Sequence, residues 1–462
     1  MAHPKYDHVL VGGGLSGSIA LVELLKTTPS PISIAVLEEN PHRLFRGKAY
    51  SAEVSAQVLN VPAERMSIYW DQPSHFVQWL EAAGHPYGPH DFVPRTLYGR
   101  YITATVHEAL NQHAQHSVRF VFQKLENLSK SNDSFHLKVA QGSLWAQNVW
   151  IATGNFSPAD VATDPTVLNH PNYWSDPWRG AGLALVPAAD SVLLVGTGLT
   201  MVDQVLALEA QGHTGPIYAV SRRGMYPLSH GPAPAYNWFA PHSGQAWSPL
   251  ELSRLVRQTV VLAESECSTW ISVVNDLREF TPGIWAQWSA GERRQFLRHL
   301  RPYWEVHRHR LPAASLQRLE SLERRGQLKR NAGRIRTITT DGSTFQVHWV
   351  VRGTADHVEK LDVQWVINCT GPQSFGKKLK EPWIDSAVVD GLLESDPLAL
   401  GIQPGRRQDP CLHLIGPPRK GMDWESTALH EIRARVKQEV NALHSLPAHS
   451  TKSAQSEGFD LR

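Results

Sequence analysis

The chain has 462 residues, of which 42% are hydrophobic and 19% charged, at a formal net charge of +2. That length suits two or three globular domains of roughly 100 to 200 residues each, and so small a charge excludes strong general attraction to polyanions such as nucleic acid. Three scattered cysteines, Cys267, Cys369 and Cys411, exclude a disulfide framework and a C-x-x-C redox pair. No leader-like segment precedes the first strand and no apolar run approaches the roughly 18 residues of a membrane span, so a cytoplasmic protein is expected.

The first element is an apolar strand, Val9-Leu10-Val11, running into Gly12-Gly13-Gly14-Leu15-Ser16-Gly17 and then a helix with Leu21, Leu24 and Leu25 on one face. Gly12, Gly14 and Gly17 form G-x-G-x-x-G in the strand-to-helix setting that makes it a dinucleotide cradle: a tight turn, close approach of backbone to pyrophosphate, and close packing of helix on strand. Helix N-terminal N–H groups then face the phosphates. A second strand, Ile32 to Leu37, ends in Glu38, where a carboxylate is expected to take the ribose hydroxyls, with Glu39 as the alternative. The segments Arg43 to Tyr50, with Ala49 and Tyr50, and Leu59 to Ser67, with Asn60, read as loops beside the ligand. Helices are expected over His75 to Leu80 and Tyr101 to Leu110, with Pro94 to Gly99 as the connection before the second. Alternating strands follow at Val118 to Phe122 and Phe135 to Val139, and the run closes on Val149 to Asn155, an apolar strand ending in Ala152-Thr153-Gly154.

A second cradle opens at Val192 to Asp203, with Gly196, Gly198 and Thr200 in the loop and Met201 at the third glycine position, which suggests a helix set off the strand. Its second strand, Ile217 to Val220, ends in Ser221-Arg222-Arg223 instead of an acid, so a 2′-phosphate and hence NADPH is favoured, with NADH as the alternative. From about 225 to 326 the pattern becomes helical and rich in tryptophan, which reads as an insertion. Strands return at Ile335 to Thr339 and Gln346 to Arg352, and the fold closes on Trp365 to Gly371. A last strand and glycine loop, Leu412 to Pro418 with Gly416, precede a helix from about Glu425. The expected architecture is therefore α/β, with two Rossmann-like dinucleotide-binding domains: 1–185 and 366–446 form a discontinuous FAD-binding domain, 186–365 an inserted NAD(P)-binding domain, and 447–462 a loose tail.

Within the insertion, Arg293, Arg294, Arg298, Arg301, Arg308 and Arg310 have only Glu292 and Glu305 beside them. Arg294, Arg298 and Arg301 share a face if the run is one helix, and Pro302 is expected to start another. Arg298 and Arg301 are thus candidates for an acidic group on a substrate, against the alternative of a solvated face or acids elsewhere in the fold. The 23 histidines include His113 with His116 and His307 with His309, but none at a metal-ligand spacing, so no metal is expected. Neither a G-x-S-x-G elbow nor an H-E-x-x-H helix is present.

Together, Gly12 to Gly17, Gly47 to Tyr50, Leu59 to Ala63, Ala152 to Asn155, Val195 to Thr200, Ser221 to Gly224 and Ile367 to Gly371 resemble bacterial FAD/NAD(P)-binding proteins, distantly similar to flavin-containing and N-hydroxylating monooxygenases. The resemblance implies FAD on Gly12, Gly13, Gly14, Ser16, Gly17, Glu38, Ala49, Tyr50, Thr153, Gly154, Gly371 and Gly416. It implies NADPH on Gly196, Gly198, Thr200, Arg222 and Arg223, and gives Asn60 a catalytic place near the flavin. The activity it implies is oxidation of a small substrate by dioxygen. A flavin reductase serving another acceptor and a non-catalytic flavoprotein are the alternatives.

Overall fold

The computed structural model describes residues 5–51, 57–131, 133–178, 182–373 and 381–445, and the expected tail at 447–462 lies outside them. The chain opens with β1 (Lys5–Val11), α1 (Leu15–Thr27), β2 (Ser33–Leu37), α2 (His75–Ala82), α3 (Arg95–Gln112), β3 (Ser117–Val121), β4 (Leu125–Ser131), β5 (Ser134–Val139) and β6 (Gly142–Ile151). These strands form one sheet in the order β3-β2-β1-β6-β5-β4. Its centre is parallel, with Val9 opposite Ala35 on one side and Val149 on the other. Strands covered on both faces by other elements are apolar at nearly every position, which is why β1 and β2 read as continuous runs. β4 was not expected from the sequence. Only Leu125 and Leu128 in it are buried, and a register shift between Leu125 and Asn127 breaks the alternation that announces a half-buried strand.

The expected connection Pro94 to Gly99 is instead the first turn of α3, capped by Pro94. Proline fits a helix start because its φ is preset and no N–H is lost. Gly99 reads as a breaker but is a contact: an added Cβ would lie 2.2 Å from the Tyr50 carbonyl oxygen.

The second half contains α4 (Pro165–Leu168), β7 (Tyr173–Trp174), β8 (Val192–Val195), α5 (Leu199–Ala210), β9 (Ile217–Ser221), the helices α6 (Pro249–Ser265), α7 (Trp270–Gln287), α8 (Ala290–His299), α9 (Arg301–Arg308) and α10 (Ala313–Arg324), and then β10 (Leu328–Thr340), β11 (Phe345–Val351), β12 (Val358–Val363) and β13 (Trp365–Asn368). Its sheet runs β12-β11-β10-β9-β8-β13-β7. β10 is parallel to β9 as far as Ala332 and antiparallel to β11 from Gly333 onward. β13 lies parallel to β8, which carries the second fold past 365, and β7 lies parallel to β13, which draws Tyr173 and Trp174 into it before 186.

The insertion helices are set by local signals. Ser248 with Glu251 and Ser289 with Glu292 are capping boxes that satisfy N-terminal donors of α6 and α8. Pro302 does begin a new helix, and this corrects the arginine row: Arg298 lies in the last turn of α8 while Arg301 opens α9. The chain finishes with α11 (Pro382–Val389), β14 (Leu393–Ser395), β15 (Ile402–Pro404), β16 (Leu412–Leu414) and α12 (Leu429–Ser445). β16 pairs with β6, Leu412 opposite Val149, so the C-terminal segment returns to the first sheet. α12 starts four residues later than expected, because turns through Glu425 carry its carboxylate to Arg308, 3.2 Å away. Trp424 beside it is buried with Trp285, Trp288 and Phe296 in the aromatic core of the insertion.

Candidate functional site

At the first glycine loop each glycine answers a distinct steric demand. Gly12 has φ 106° and an added Cβ would sit 2.4 Å from the Ala152 carbonyl oxygen; at Gly17 it would sit 2.0 Å from that of Gly12. Gly14 caps α1 with no side chain over the helix end, and no acid lies in the first turn to compete with an anion. Glu38 follows β2 and is half-buried. Its carboxylate accepts from Gly13 N at 3.1 Å and Asn40 N at 3.2 Å; burial pushes its pKa up against the pull of those two donors. Thr153 carries a buried hydroxyl with no hydrogen-bond partner among the described residues. Gly416, at φ 74°, lies on the start of α1: its Cβ would meet Ser16 Oγ at 2.6 Å. Tyr50 packs edge-on against Tyr98, with ring centroids 4.8 Å apart, while Ala49 is exposed. Bare helix end, glycine cradle, carboxylate and orphaned hydroxyl fit a dinucleotide such as FAD.

The second loop repeats the turn. Gly196 has φ 113°, and its Cβ would lie 2.5 Å from the Cys369 carbonyl oxygen. Met201 takes the position corresponding to Gly17, and its side chain is wholly buried in the core between α5 and its sheet. Gly198 caps α5 with nothing within 4 Å of where its Cβ would be. It opens onto a cavity of about 1030 Å³ bounded by Gly154 to Phe156 from the first fold, the second glycine loop, and Gly371 to Gln373.

Guanidinium groups crowd this cavity. Arg222 and Arg223 line it, as expected from their place after β9. Arg223 is fixed by the Tyr303 hydroxyl at 3.2 Å and by the Tyr303 ring at 5.0 Å. Arg334 and Arg352 also line it, although sequence reasoning missed them. They come from β10 and from just beyond β11, and nothing local marks them; only the pairing of Ala332 with Ser221 shows that these strands reach the same sheet edge.

The arginines of the insertion divide. Arg308 pairs with Glu425, and Arg310 bonds to Asn275, so these meet partners elsewhere in the fold. Arg298 and Arg301 line the cavity, Arg301 paired with Glu305 at 2.8 Å. His309 also lines it, with its pKa lowered by burial and by Arg308 to about 4, which keeps the imidazole neutral near pH 7. Asn60 does not line this cavity; its carbonyl accepts from His230 Nε2 at 2.9 Å, tying the loop after the first cradle to the insertion. Among the described residues no group of three His, Cys, Asp or Glu could hold a metal, and no helix is long and apolar enough to cross a membrane.

Residues 9–156 match the model of a family described as FAD-NAD(P)-binding. A comparison with curated proteins gives no match. Among solved structures, the chain is similar to the ornithine N-hydroxylase of Kutzneria sp. 744, with TM-score 0.61, 14% identity, and 96% of this chain and 99% of that one covered. It is similar to L-lysine 6-monooxygenase from Pseudomonas syringae, with TM-score 0.66, 15% identity and coverage of 95% and 99%. Thioredoxin reductase of T. acidophilum matches with TM-score 0.53, 10% identity and coverage of 96% and 99%. At such identities the likeness shows the fold alone, and the chemistry rests on the residues of the site.

Proposed function

We propose that this chain is an FAD-dependent, NADPH-using monooxygenase acting on a small, acidic substrate. The observation that carries the reading is the cavity at the second glycine loop, open at Gly198 and lined by Arg222, Arg223, Arg334 and Arg352. A dinucleotide whose pyrophosphate rests on α5 would meet those guanidinium groups with its 2′-phosphate, and planar forks of donors suit phosphate oxygens. The Gly12 loop would hold FAD, with Glu38 on its ribose, and Gly416 brings the C-terminal segment against the same helix end. When bound, FAD would supply the redox chemistry, taking electrons from NADPH and passing them to dioxygen. The protein positions both coenzymes and excludes water. Asn60, held through its carbonyl by His230, is proposed to face the reacting edge with its side-chain amide.

The solved structures that resemble this chain include ornithine and lysine hydroxylases, which supports oxygen transfer. A disulfide-reductase role is disfavoured because all three cysteines are free: Cys369 is buried with its pKa raised by that burial, and Cys411 is half-buried with its pKa raised likewise. The test is a visible spectrum for flavin, followed by NADPH oxidation and oxygen uptake with a panel of amines, sulfides and amino acids. Coupled uptake with a hydroxylated product supports the proposal. Rapid anaerobic reduction of a dye or quinone, with no oxygenated product from any substrate, would replace it by a reductase.

A further inference from the structure

Besides Arg222 and Arg223 after β9, Arg334 of β10 and Arg352 after β11, the cavity is lined by a cation of the C-terminal segment. Lys420 lines it, close to Pro417 and Glu305. Its ammonium lies 4.9 Å above the Trp424 ring and makes no hydrogen bond or ion pair among the described residues. Arg301 lies over the same indole at 5.8 Å. The acids nearby are committed: Glu305 to Arg301 at 2.8 Å, and Glu425 to Arg308 at 3.2 Å and to Trp304 Nε1 at 2.9 Å. This part of the lining therefore holds two cations, one available acid already paired, and the neutral imidazole of His309, which leaves one positive charge unbalanced. Burial, and then repulsion from Arg301, lower the pKa of Lys420 against the pull of Glu305 and Glu425.

The platform is rigid. Trp424 packs on Trp285 with ring centroids 5.0 Å apart, and Trp285 Nε1 donates to the Gly421 carbonyl at 2.9 Å. Gly421 is pressed on Asp396, whose Cγ would lie 2.2 Å from an added Cβ, and Gly401 is pressed equally close to the Pro418 carbonyl oxygen. A lysine held in place on such a support loses little entropy when it binds an anion.

We infer that Lys420, with Arg301 beside it, anchors a carboxylate of the second ligand of this cavity, the molecule to be oxidised. This rests on the NADPH reading and deepens it: the phosphates belong to the Gly198 loop and the arginines after β9, and Lys420 is left for a different anion. It keeps Arg301 of the expected pair and adds Lys420, while the Arg298 carbonyl accepts from Arg223 at 3.5 Å.

Benzoate is the probe and benzamide its uncharged control, measured by calorimetry on protein loaded with FAD and NADP+. Wild type should bind benzoate and not benzamide, Lys420→Met should weaken benzoate about tenfold or more, the loss expected for a hydrogen bond to a charged group, and Lys420→Arg should retain most of the binding. NADP+ affinity, measured separately, should be the same in all three. Equal benzoate affinity in wild type and Lys420→Met, or no benzoate binding to a protein that holds FAD and NADP+ normally, would overturn the carboxylate site and leave the coenzyme reading standing. Equal weakening of NADP+ and benzoate would assign the lysine to the coenzyme instead. A protein that binds neither FAD nor NADP+ would remove both readings. Should Lys420→Met fail to fold, acetylation of Lys420 by acetic anhydride in wild type, followed by peptide mass spectrometry, decides the matter: benzoate slows it if the inference holds and leaves it unchanged if not.

Discussion

At Gly17 one missing atom lets the helix start close on the glycine loop, where FAD is proposed to bind. A Cβ there would lie 2.0 Å from the Gly12 carbonyl oxygen, so any side chain pushes the start of α1 away from the loop that turns beneath it. Gly17→Val should fold, judged by far-ultraviolet circular dichroism, yet be isolated without yellow colour; a folded variant with full flavin content would refute the assignment of FAD to this loop. At the proposed NADPH site the prediction falls on Arg222 and Arg223, which line the cavity. Each charge-assisted hydrogen bond to phosphate is worth roughly 1.5 to 3 kcal/mol, so Arg222→Gln with Arg223→Gln should raise KM for NADPH about tenfold or more and leave NADH little changed. Equal use of both coenzymes by the wild type would sink this reading. These residues were legible because glycines at fixed spacing and the residue ending a second strand carry local signals. Arg334, Arg352 and Lys420 were not, since they reach the cavity only through the pairing of distant strands and the return of the C-terminal segment.

Among the elements, those with a strong period or a strong cap were readable: β1, β2, α1 and the break at Pro302 all appear where the chain announces them. β4 was hidden by its bulge, and the first turn of α3 by a glycine that is there for contact with Tyr50. The insertion was recognisable by its tryptophans, but not what they pack against. Trp424, far away in sequence, lies among Trp285, Trp288 and Phe296 and is 4% exposed. It therefore joins the C-terminal segment to the insertion as well as supporting Lys420. Trp424→Ala should destabilise the protein by about 3 to 5 kcal/mol, the usual cost of emptying a large aromatic site, measured by urea denaturation. A loss below 1 kcal/mol would mean that the two segments are not coupled through this side chain.

Across the whole molecule, the two nucleotide folds are joined by a buried ion pair, Arg95 of α3 with Asp203 of α5 at 3.0 Å. Burial raises the pKa of Asp203 to about 6, more than Arg95 lowers it. A carboxyl group near 3.8 when unfolded and near 6 when folded binds more protons in the native state, so its contribution to stability is fully present below the unfolded value and is lost as pH rises to about 6. His8 acts in the opposite sense. Buried beneath Trp150, whose Nε1 donates to it at 3.2 Å, its pKa is pushed by burial from 6.5 down to about 4. Its contribution is therefore present above 6.5 and lost as pH falls to about 4. The two slopes oppose each other across nearly the same window, and the wild type should lose less stability on mild acidification than His8 alone would dictate. Asp203→Asn keeps an acceptor for Arg95 and removes the titration. At 1.36 kcal/mol per unit, it should lose up to about 3 kcal/mol more stability than wild type between pH 7 and pH 4. Urea denaturation at both pH values reads this difference directly; parallel losses in the two proteins would show that Asp203 does not titrate across the junction and that the ion pair stays charged throughout.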